Sequence, residues 1–142
     1  MTRIDFYVLP DEDARKRLVY ACKLVDKAFA LGHRVHIHTA DAIVAQALDD
    51  LLWSFRDGSF IPHAIDPEQP ADYAVSIGHQ REPSTDRQVL VNLAADLPLF
   101  FSRFERVAEI VNQEPAVRDA GRERWRFYRD RGYELHHHEV TG

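Results

Sequence analysis

Short apolar runs alternate along this chain with longer segments in which apolar residues recur every three or four positions. Short runs of β-favouring residues predict strands, and the longer periodic segments predict helices with one buried face. The pattern predicts strands at 4–9, 34–39, 73–77, 88–93 and 106–111, helices at 14–31, 42–55 and 115–131, and a short helix or turn at 97–101. This alternation is typical of an α/β domain whose mostly parallel sheet carries helices on both faces.

The residues at the predicted helix ends support these boundaries. Three carboxylates at 11–13 precede the first helix, where they complement the positive end of the helix dipole. Gly32 follows that helix as a natural C-cap. Pro115 begins the last helix and Gly132 ends it.

The length of 142 residues suits one domain, because domains of roughly 100–150 residues are the commonest. We expect residues 1–142 to form that domain, with a flexible tail at 135–142. No apolar run approaches the ~20 residues of a membrane helix and no signal peptide is visible, so we expect no membrane contact. The lone Cys22 excludes an intramolecular disulfide and fits a reducing cytoplasm, where we expect the protein to act.

The sequence lacks the glycine-rich loops that cradle phosphate, since neither GxxxxGK[ST] nor GxGxxG occurs. The first strand–helix connection, residues 10–13, instead holds three carboxylates, which repel phosphate. Ser76 and Ser102 lack the context of a nucleophile elbow, and Cys22 lies on the apolar stripe of its helix. We therefore expect no nucleotide, no other cofactor and no catalytic residue, and a small enzyme is the least favoured alternative.

Eight histidines raise the question of a metal site. His36 and His38 share one face of a predicted strand, and residues 136–138 form a triplet near the C-terminus. Imidazole pairs can bind zinc, but no carboxylate or cysteine stands beside these histidines at a typical ligand spacing. We therefore expect no metal ligands, although the triplet can bind metal opportunistically without a function.

Aromatic and apolar residues crowd the predicted end of the second helix and the loop that follows it. Trp53, Phe55, Phe60 and Ile61 lie within residues 51–63. One interpretation is that they plug the end of the sheet. The other is an apolar docking patch, since Trp and Phe anchor interfaces.

Positive charge is concentrated in the last predicted helix. Residues 115–131 hold six arginines and three acids, a net charge of +3, so the rest of a chain whose total is −5 carries −8. Ala116, Ala120 and Phe127 share one face of this helix. Another face carries cations around one aromatic ring, namely Arg118, Arg122, Trp125, Arg126 and Arg129.

Two kinds of interpretation fit the arginine-bearing face. It can be a solvated face laced with local ion pairs. It can also bind an acidic peptide with a hydrophobic end, because arginine forks bind carboxylates and Trp125 adds an apolar wall. Single-stranded nucleic acid stacking on Trp125 is a further possibility for the same face.

Motifs along nearly the whole chain occur in a recognisable order. They are DFY at 5–7, GHRV at 32–35, ALDDLLW at 47–53, SFIPH at 59–63, VNL at 91–93, FERV at 104–107 and GRERWRFY at 121–128. The tryptophan-to-SFIPH run and the arginine-rich run are specific in combination. With these motifs the chain resembles the chi subunits of bacterial DNA polymerase III, accessory proteins of the clamp-loader complex.

The resemblance implies a Rossmann-like sheet without a nucleotide and a non-enzymatic adaptor. One surface would hold the psi subunit, which ties chi to the clamp loader, and Trp53 and Phe60 fall at its family positions. A separate surface would bind the acidic, phenylalanine-ended C-terminal tail of single-stranded DNA-binding protein, so that contact with DNA is indirect. The family positions of this tail site are Val111, Arg118, Arg122, Trp125 and Arg126.

Some details depart from the family pattern. Trp125 stands where tyrosine is also seen, and Arg118 and Arg126 stand where lysine is seen, but aromaticity and charge are kept. An accessory helicase is a further partner implied for the psi surface. The alternative function is direct binding of single-stranded nucleic acid through Trp125 and the arginines of the last helix. The net charge of −5 weakens it, because such affinity comes mainly from phosphate neutralisation.

Overall fold

The computed structural model describes residues 2–55, 60–79, 82–83 and 87–141, and within them seven strands and three helices. The strands are β1 Arg3–Val8, β2 Val35–Thr39, β3 His63–Ile65, β4 Val75–His79, β5 Val89–Asn92, β6 Arg106–Val111 and β7 Glu134–Glu139. The helices are α1 Ala14–Ala30, α2 Ala42–Ser54 and α3 Pro115–Asp130, with short 3₁₀ turns at Pro70–Asp72 and Phe101–Arg103. The predicted strands and helices are confirmed to within two residues at each end.

All seven strands run parallel in one sheet, in the order β3-β4-β2-β5-β6-β1-β7. The prediction of a mostly parallel sheet is therefore confirmed. Because the strands share one direction, they all end at one edge of the sheet, here called the carboxyl edge. They all begin at the opposite edge, here called the amino edge.

Helices cover both faces of the sheet, as the alternation predicted, and each face has its own apolar core. On one face, α1 and α2 pack over alternate strand residues such as Val35, Ile37 and Ile110. On the other face, α3 and residues 97–104 pack over the intervening residues, which include Ile4 and Phe6. Neither α1, α2 nor α3 is long and apolar enough to cross a membrane.

The ends of α1 follow the local chemistry of the sequence. The Asp13 carboxylate accepts hydrogen bonds from the backbone N–H groups of Arg15 and Lys16, which caps the first turn. Gly32 lies just past the helix with a φ of 85°, the left-handed conformation that favours glycine. Cys22 is buried in the core beneath this helix, and burial raises the pKa of its thiol to about 12. It is a core residue, as predicted.

The prediction of a flexible tail at 135–142 is wrong for most of that segment, because Glu134–Glu139 form β7, an outermost strand of the sheet beside β1. The strand pairs with β1 in register, with Asp5 opposite His136. The His138 Nε2 lies 2.8 Å from the Asp5 Oδ1, and the His138 ring stacks on Tyr7 with centroids 4.7 Å apart. These polar contacts stabilise β7, which lacks the alternating apolar residues by which a strand is predicted from sequence.

Candidate functional site

The face that α3 turns toward the sheet is centred on other residues than the face shared by Ala116, Ala120 and Phe127. Ala116 and Ala120 are not among the buried residues of the helix; Gly121, Arg124 and Tyr128 are. A Cβ atom at position 121 would lie only 2.8 Å from the Val111 Cγ1, so glycine allows the helix to approach β6 closely.

Arg124, counted among the charged residues of the last helix, is buried rather than displayed. Its Nε donates to the Glu109 Oε1 at 2.9 Å, and its Nη1 donates to the Ala95 carbonyl at 2.7 Å. The Tyr128 hydroxyl donates to the other Glu109 oxygen at 2.8 Å, and the Asn92 amide donates to both. This Glu109 cluster fixes the rotation of α3 on the sheet, and five arginines rather than six remain for the surface.

A pocket of about 220 Å³ lies between α3, the carboxyl half of β1, the end of β6 and β7. Its lining residues are Phe6, Val8, Val111, Asn112, Gln113, Arg118, Gly121, Arg122, Trp125 and His137. Four of the five predicted tail-site residues therefore come together, namely Val111, Arg118, Arg122 and Trp125. Arg126 is not part of the lining; its Nη1 binds the Glu123 carboxylate at 2.7 Å.

Aromatic rings hold Trp125 in a fixed orientation at this pocket. The Phe6 ring meets it edge to face, with centroids 5.1 Å apart and planes at 73°. The His137 ring meets it from β7, with centroids 6.3 Å apart and planes at 85°. Together with Val8 and Val111, the rings of Phe6 and Trp125 give the pocket an apolar floor. Phe6 and His137 were not predicted as site residues, because they lie on β1 and β7 rather than on the arginine-rich helix α3.

The arginines at the pocket mouth are only weakly neutralised. The Arg118 Nε lies 3.3 Å from the Asp119 Oδ1, and the Arg122 Nη1 lies 3.9 Å from the same oxygen. Two cations thus share one exposed carboxylate, and exposed pairs of this kind are worth about 0–1 kcal/mol. The ion-pair interpretation of this face is right in part, but it leaves positive charge beside an apolar hollow.

The second predicted surface lies at the amino edge, where α2 ends. The side chains of Trp53 and Phe60 are 54% and 66% exposed, and their ring centroids are 5.7 Å apart. Ile61 is 1% exposed. The plug interpretation therefore holds for Ile61 and is wrong for Trp53 and Phe60, which form an exposed aromatic patch. Residues 56–59, between them in sequence, lie outside the described residues.

His63 supports this Trp53–Phe60 patch from beneath. Its Nδ1 lies 2.6 Å from the Ile61 carbonyl, and its Nε2 lies 3.2 Å from the Asp49 carbonyl of α2. The Trp53 ring packs on the imidazole with centroids 4.5 Å apart. These contacts of His63 join the start of β3 and the preceding Ile61 to α2, which sets the position of both exposed rings.

Arginine side chains occupy part of the carboxyl edge, the place where doubly wound sheets usually bind ligands. Arg17 donates to the Ile110 and Leu93 carbonyls at 2.8 and 3.3 Å, and burial lowers its pKa to about 10. Arg124 approaches the same strands from the other face through Glu109 and Ala95. Both guanidinium groups are engaged by the protein itself.

The two histidines on β2, His36 and His38, are buried. The His36 Nδ1 lies 2.7 Å from the Ser76 Oγ, and burial lowers the pKa of His36 to about 3, so the ring is neutral. His38 is buried beside Phe100. Across residues 2–55, 60–79, 82–83 and 87–141, no three His, Cys, Asp or Glu side chains come together as a metal site.

Solved structures with similar folds have very different sequences. The crystal structure of T4 UvsW matches with a TM-score of 0.67 at 9% identity, over 98% of this chain and 41% of that chain. The C-terminal domain of the DEAD-box protein Dbp5 matches with a TM-score of 0.62 at 14% identity, over 96% of this chain and 90% of that one. At these identities the likeness shows the α/β fold alone, and the chain spans only about two fifths of the UvsW chain.

Relatives in sequence are far more informative. A family model described as DNA polymerase III chi subunit, HolC, matches residues 1–136. DNA polymerase III subunit chi of Pseudomonas aeruginosa is 45% identical over 140 residues, which cover 99% of this chain and 98% of that protein. DNA polymerase III subunit chi of Escherichia coli is 31% identical over 143 residues, covering 95% and 96%. The chain therefore belongs to the family of DNA polymerase III chi subunits, which are accessory subunits in DNA replication.

Proposed function

We propose that this chain is a non-enzymatic adaptor. It links the clamp-loader complex of DNA polymerase III, through the psi subunit, to the acidic C-terminal tail of single-stranded DNA-binding protein. The observation that carries the proposal is the pocket beside α3, where an apolar floor and weakly neutralised arginines lie within one hollow. A peptide that ends in phenylalanine and carries carboxylates offers both matching halves.

The size and chemistry of the pocket suit one aromatic side chain. An apolar cavity of about 150 Å³ can hold benzene, and this pocket measures about 220 Å³. Phe6 and Trp125 present ring edges and faces to a bound phenyl group. Arg118 and Arg122 stand at the mouth, where a terminal carboxylate and nearby aspartates would form charge-assisted hydrogen bonds.

The exposed pair of Trp53 and Phe60 supports a second docking surface, which we assign to psi. The pair lies at the amino edge on the face covered by α2, whereas the pocket lies toward the carboxyl edge on the face covered by α3. Two partners on opposite faces do not obstruct each other, which an adaptor requires. An accessory helicase that used the same aromatic pair would compete with psi.

Direct binding of single-stranded nucleic acid is the second candidate, and Trp125 among arginines favours it. Three observations weaken it. Arg124 is buried against Glu109, and Arg126 and Arg129 bind Glu123 and Asp130. Trp125 is partly covered by Phe6 and His137 rather than offered as an open stacking face. The chain as a whole carries a net charge of −5.

Calorimetric titration of the full-length protein separates the two candidates. One titrant is an acidic peptide that ends in phenylalanine, and the second is the same peptide without that residue. The third is oligo-dT. The adaptor proposal requires binding of the first peptide, strong weakening for the second and no comparable binding of oligo-dT. Tight binding of oligo-dT with no response to the peptide would replace it with the nucleic-acid function.

A further inference from the structure

β7 brings a histidine into the wall of the α3 pocket. His137 lies opposite Phe6 in the parallel register of β7 with β1, and its ring meets the Trp125 indole edge-on. It lines the pocket together with Arg118 and Arg122. The family model matches residues up to 136, and the tail-site positions implied by the family resemblance do not include His137.

We propose that His137 is a recognition residue of this pocket. Its imidazole closes the β7 side of the hollow and supplies a third nitrogen-bearing side chain, beside Arg118 and Arg122, for the carboxylates of an acidic peptide. The inference rests on the proposed tail-binding function. It goes beyond that function by making the last strand part of the receptor.

The three neighbouring histidines of β7 differ in their contacts. The His136 Nε2 pairs with Glu134, and the His138 Nε2 pairs with Asp5. His137 is exposed, and within the part of the chain that the structure describes its imidazole forms a ring contact with Trp125 but no hydrogen bond. Its two neighbours therefore have structural partners, whereas the ring nitrogens of His137 remain available to a ligand.

The test is calorimetric titration of the acidic, phenylalanine-ended peptide into the wild-type protein and variants of this strand. His137→Ala removes both the wall and the ring nitrogens, so it should bind about three- to tenfold more weakly than wild type. His137→Phe keeps an aromatic wall but offers no nitrogen, so it should bind more weakly than wild type and more tightly than His137→Ala. His136→Ala, on the other side of the same strand, serves as the matched control and should behave as wild type.

Equal affinity of His137→Ala and wild type for the peptide would overturn the role of His137 while leaving the tail site in place. If the wild-type protein does not bind the peptide at all, the proposed function fails, and the role of His137 fails with it.

Discussion

The two candidate binding surfaces each contain a tryptophan, yet they present it in opposite ways. Trp125 lies at the wall of a hollow, held edge-on by Phe6 and His137, with arginines at the mouth. Trp53 stands out from the surface beside Phe60 and rests on the buried His63. One surface is concave and charged at its rim, whereas the other is an exposed aromatic pair whose neighbour in the helix, Asp49, is acidic.

This difference indicates two kinds of recognition. A hollow with a defined floor selects one side chain and its flanking charges, so a short peptide can supply all that it needs. An exposed aromatic pair needs a partner that brings its own apolar surface to cover both rings. The first surface therefore suits a flexible tail, and the second suits a folded or folding subunit.

The largest expected effect concerns the buried ion pair of Glu109 and Arg124, which fixes α3 beside the pocket. Arg124→Ala leaves Glu109 buried without its cation, and breaking a buried pair in this way costs about 3–5 kcal/mol of unfolding free energy. Urea denaturation should show this loss. Arg129→Ala, an exposed arginine on the same helix, is the control and should change stability by less than about 0.5 kcal/mol.

A compensating change sharpens this result. Glu109→Gln combined with Arg124→Met removes both buried charges, and it should recover part of the stability lost in Arg124→Ala. Equal stability of Arg124→Ala and Arg129→Ala would mean that the Glu109 cluster does not fix α3 on the sheet.

The exposed pair gives the next effect. Phe60→Ala, with Trp53→Ala as a companion, should abolish measurable binding of psi, because aromatic anchors at interfaces contribute more than about 2 kcal/mol. The thermal stability of the free protein and its affinity for the acidic peptide should not change, since both rings are exposed. Ile43→Ala on the same helix, where the side chain is 81% exposed, is the matched control for psi binding.

Surface plasmon resonance with immobilised psi measures this directly. Unfolding of the free Phe60→Ala protein would restore the interpretation that Phe60 plugs the sheet. Unchanged affinity for psi would remove the pair from the interface.

Much of the fold could be predicted because its signals are local. The strands of four or more residues that carry apolar runs were found, and so were the helices with periodic apolar faces, such as α1 with its Asp13 cap. β3 has only three residues and follows a proline, so its pattern is too short to distinguish from a loop. β7 carries three histidines and two glutamates, and its pairing partner Asp5 is more than a hundred residues away in sequence.

Of the pocket lining, the sequence predicted residues of α3 and, through the family resemblance, Val111 of β6; it missed residues whose place depends on packing between elements. The spacing of Arg118, Arg122 and Trp125 already indicated a shared face. That Arg124 points inward follows only from the position of Glu109 on β6, which helical periodicity does not reveal. His137 enters the pocket only because β7 pairs with β1.

Within the hollow, the apolar half should contribute more than the charged half. Trp125→Ala should weaken binding of the phenylalanine-ended peptide by about tenfold or more, with little change in its salt dependence. Removal of the terminal phenylalanine from the peptide should cost a similar amount. Because both changes remove one contact, their effects should not add in a double-mutant cycle. Full additivity in calorimetric titrations would place the phenyl ring elsewhere on the surface.

The smallest effect separates the arginines that line the hollow from those that do not. Arg122→Ala should weaken peptide binding by about three- to fivefold at low ionic strength and flatten its salt dependence, because one exposed cationic contact is lost and such contacts are screened by salt. Arg126→Ala should change both quantities less, since its guanidinium binds Glu123 outside the lining. Titrations of both variants at two salt concentrations provide the comparison. A larger loss in Arg126→Ala than in Arg122→Ala would mean that the peptide leaves the hollow and runs along the outer face of α3.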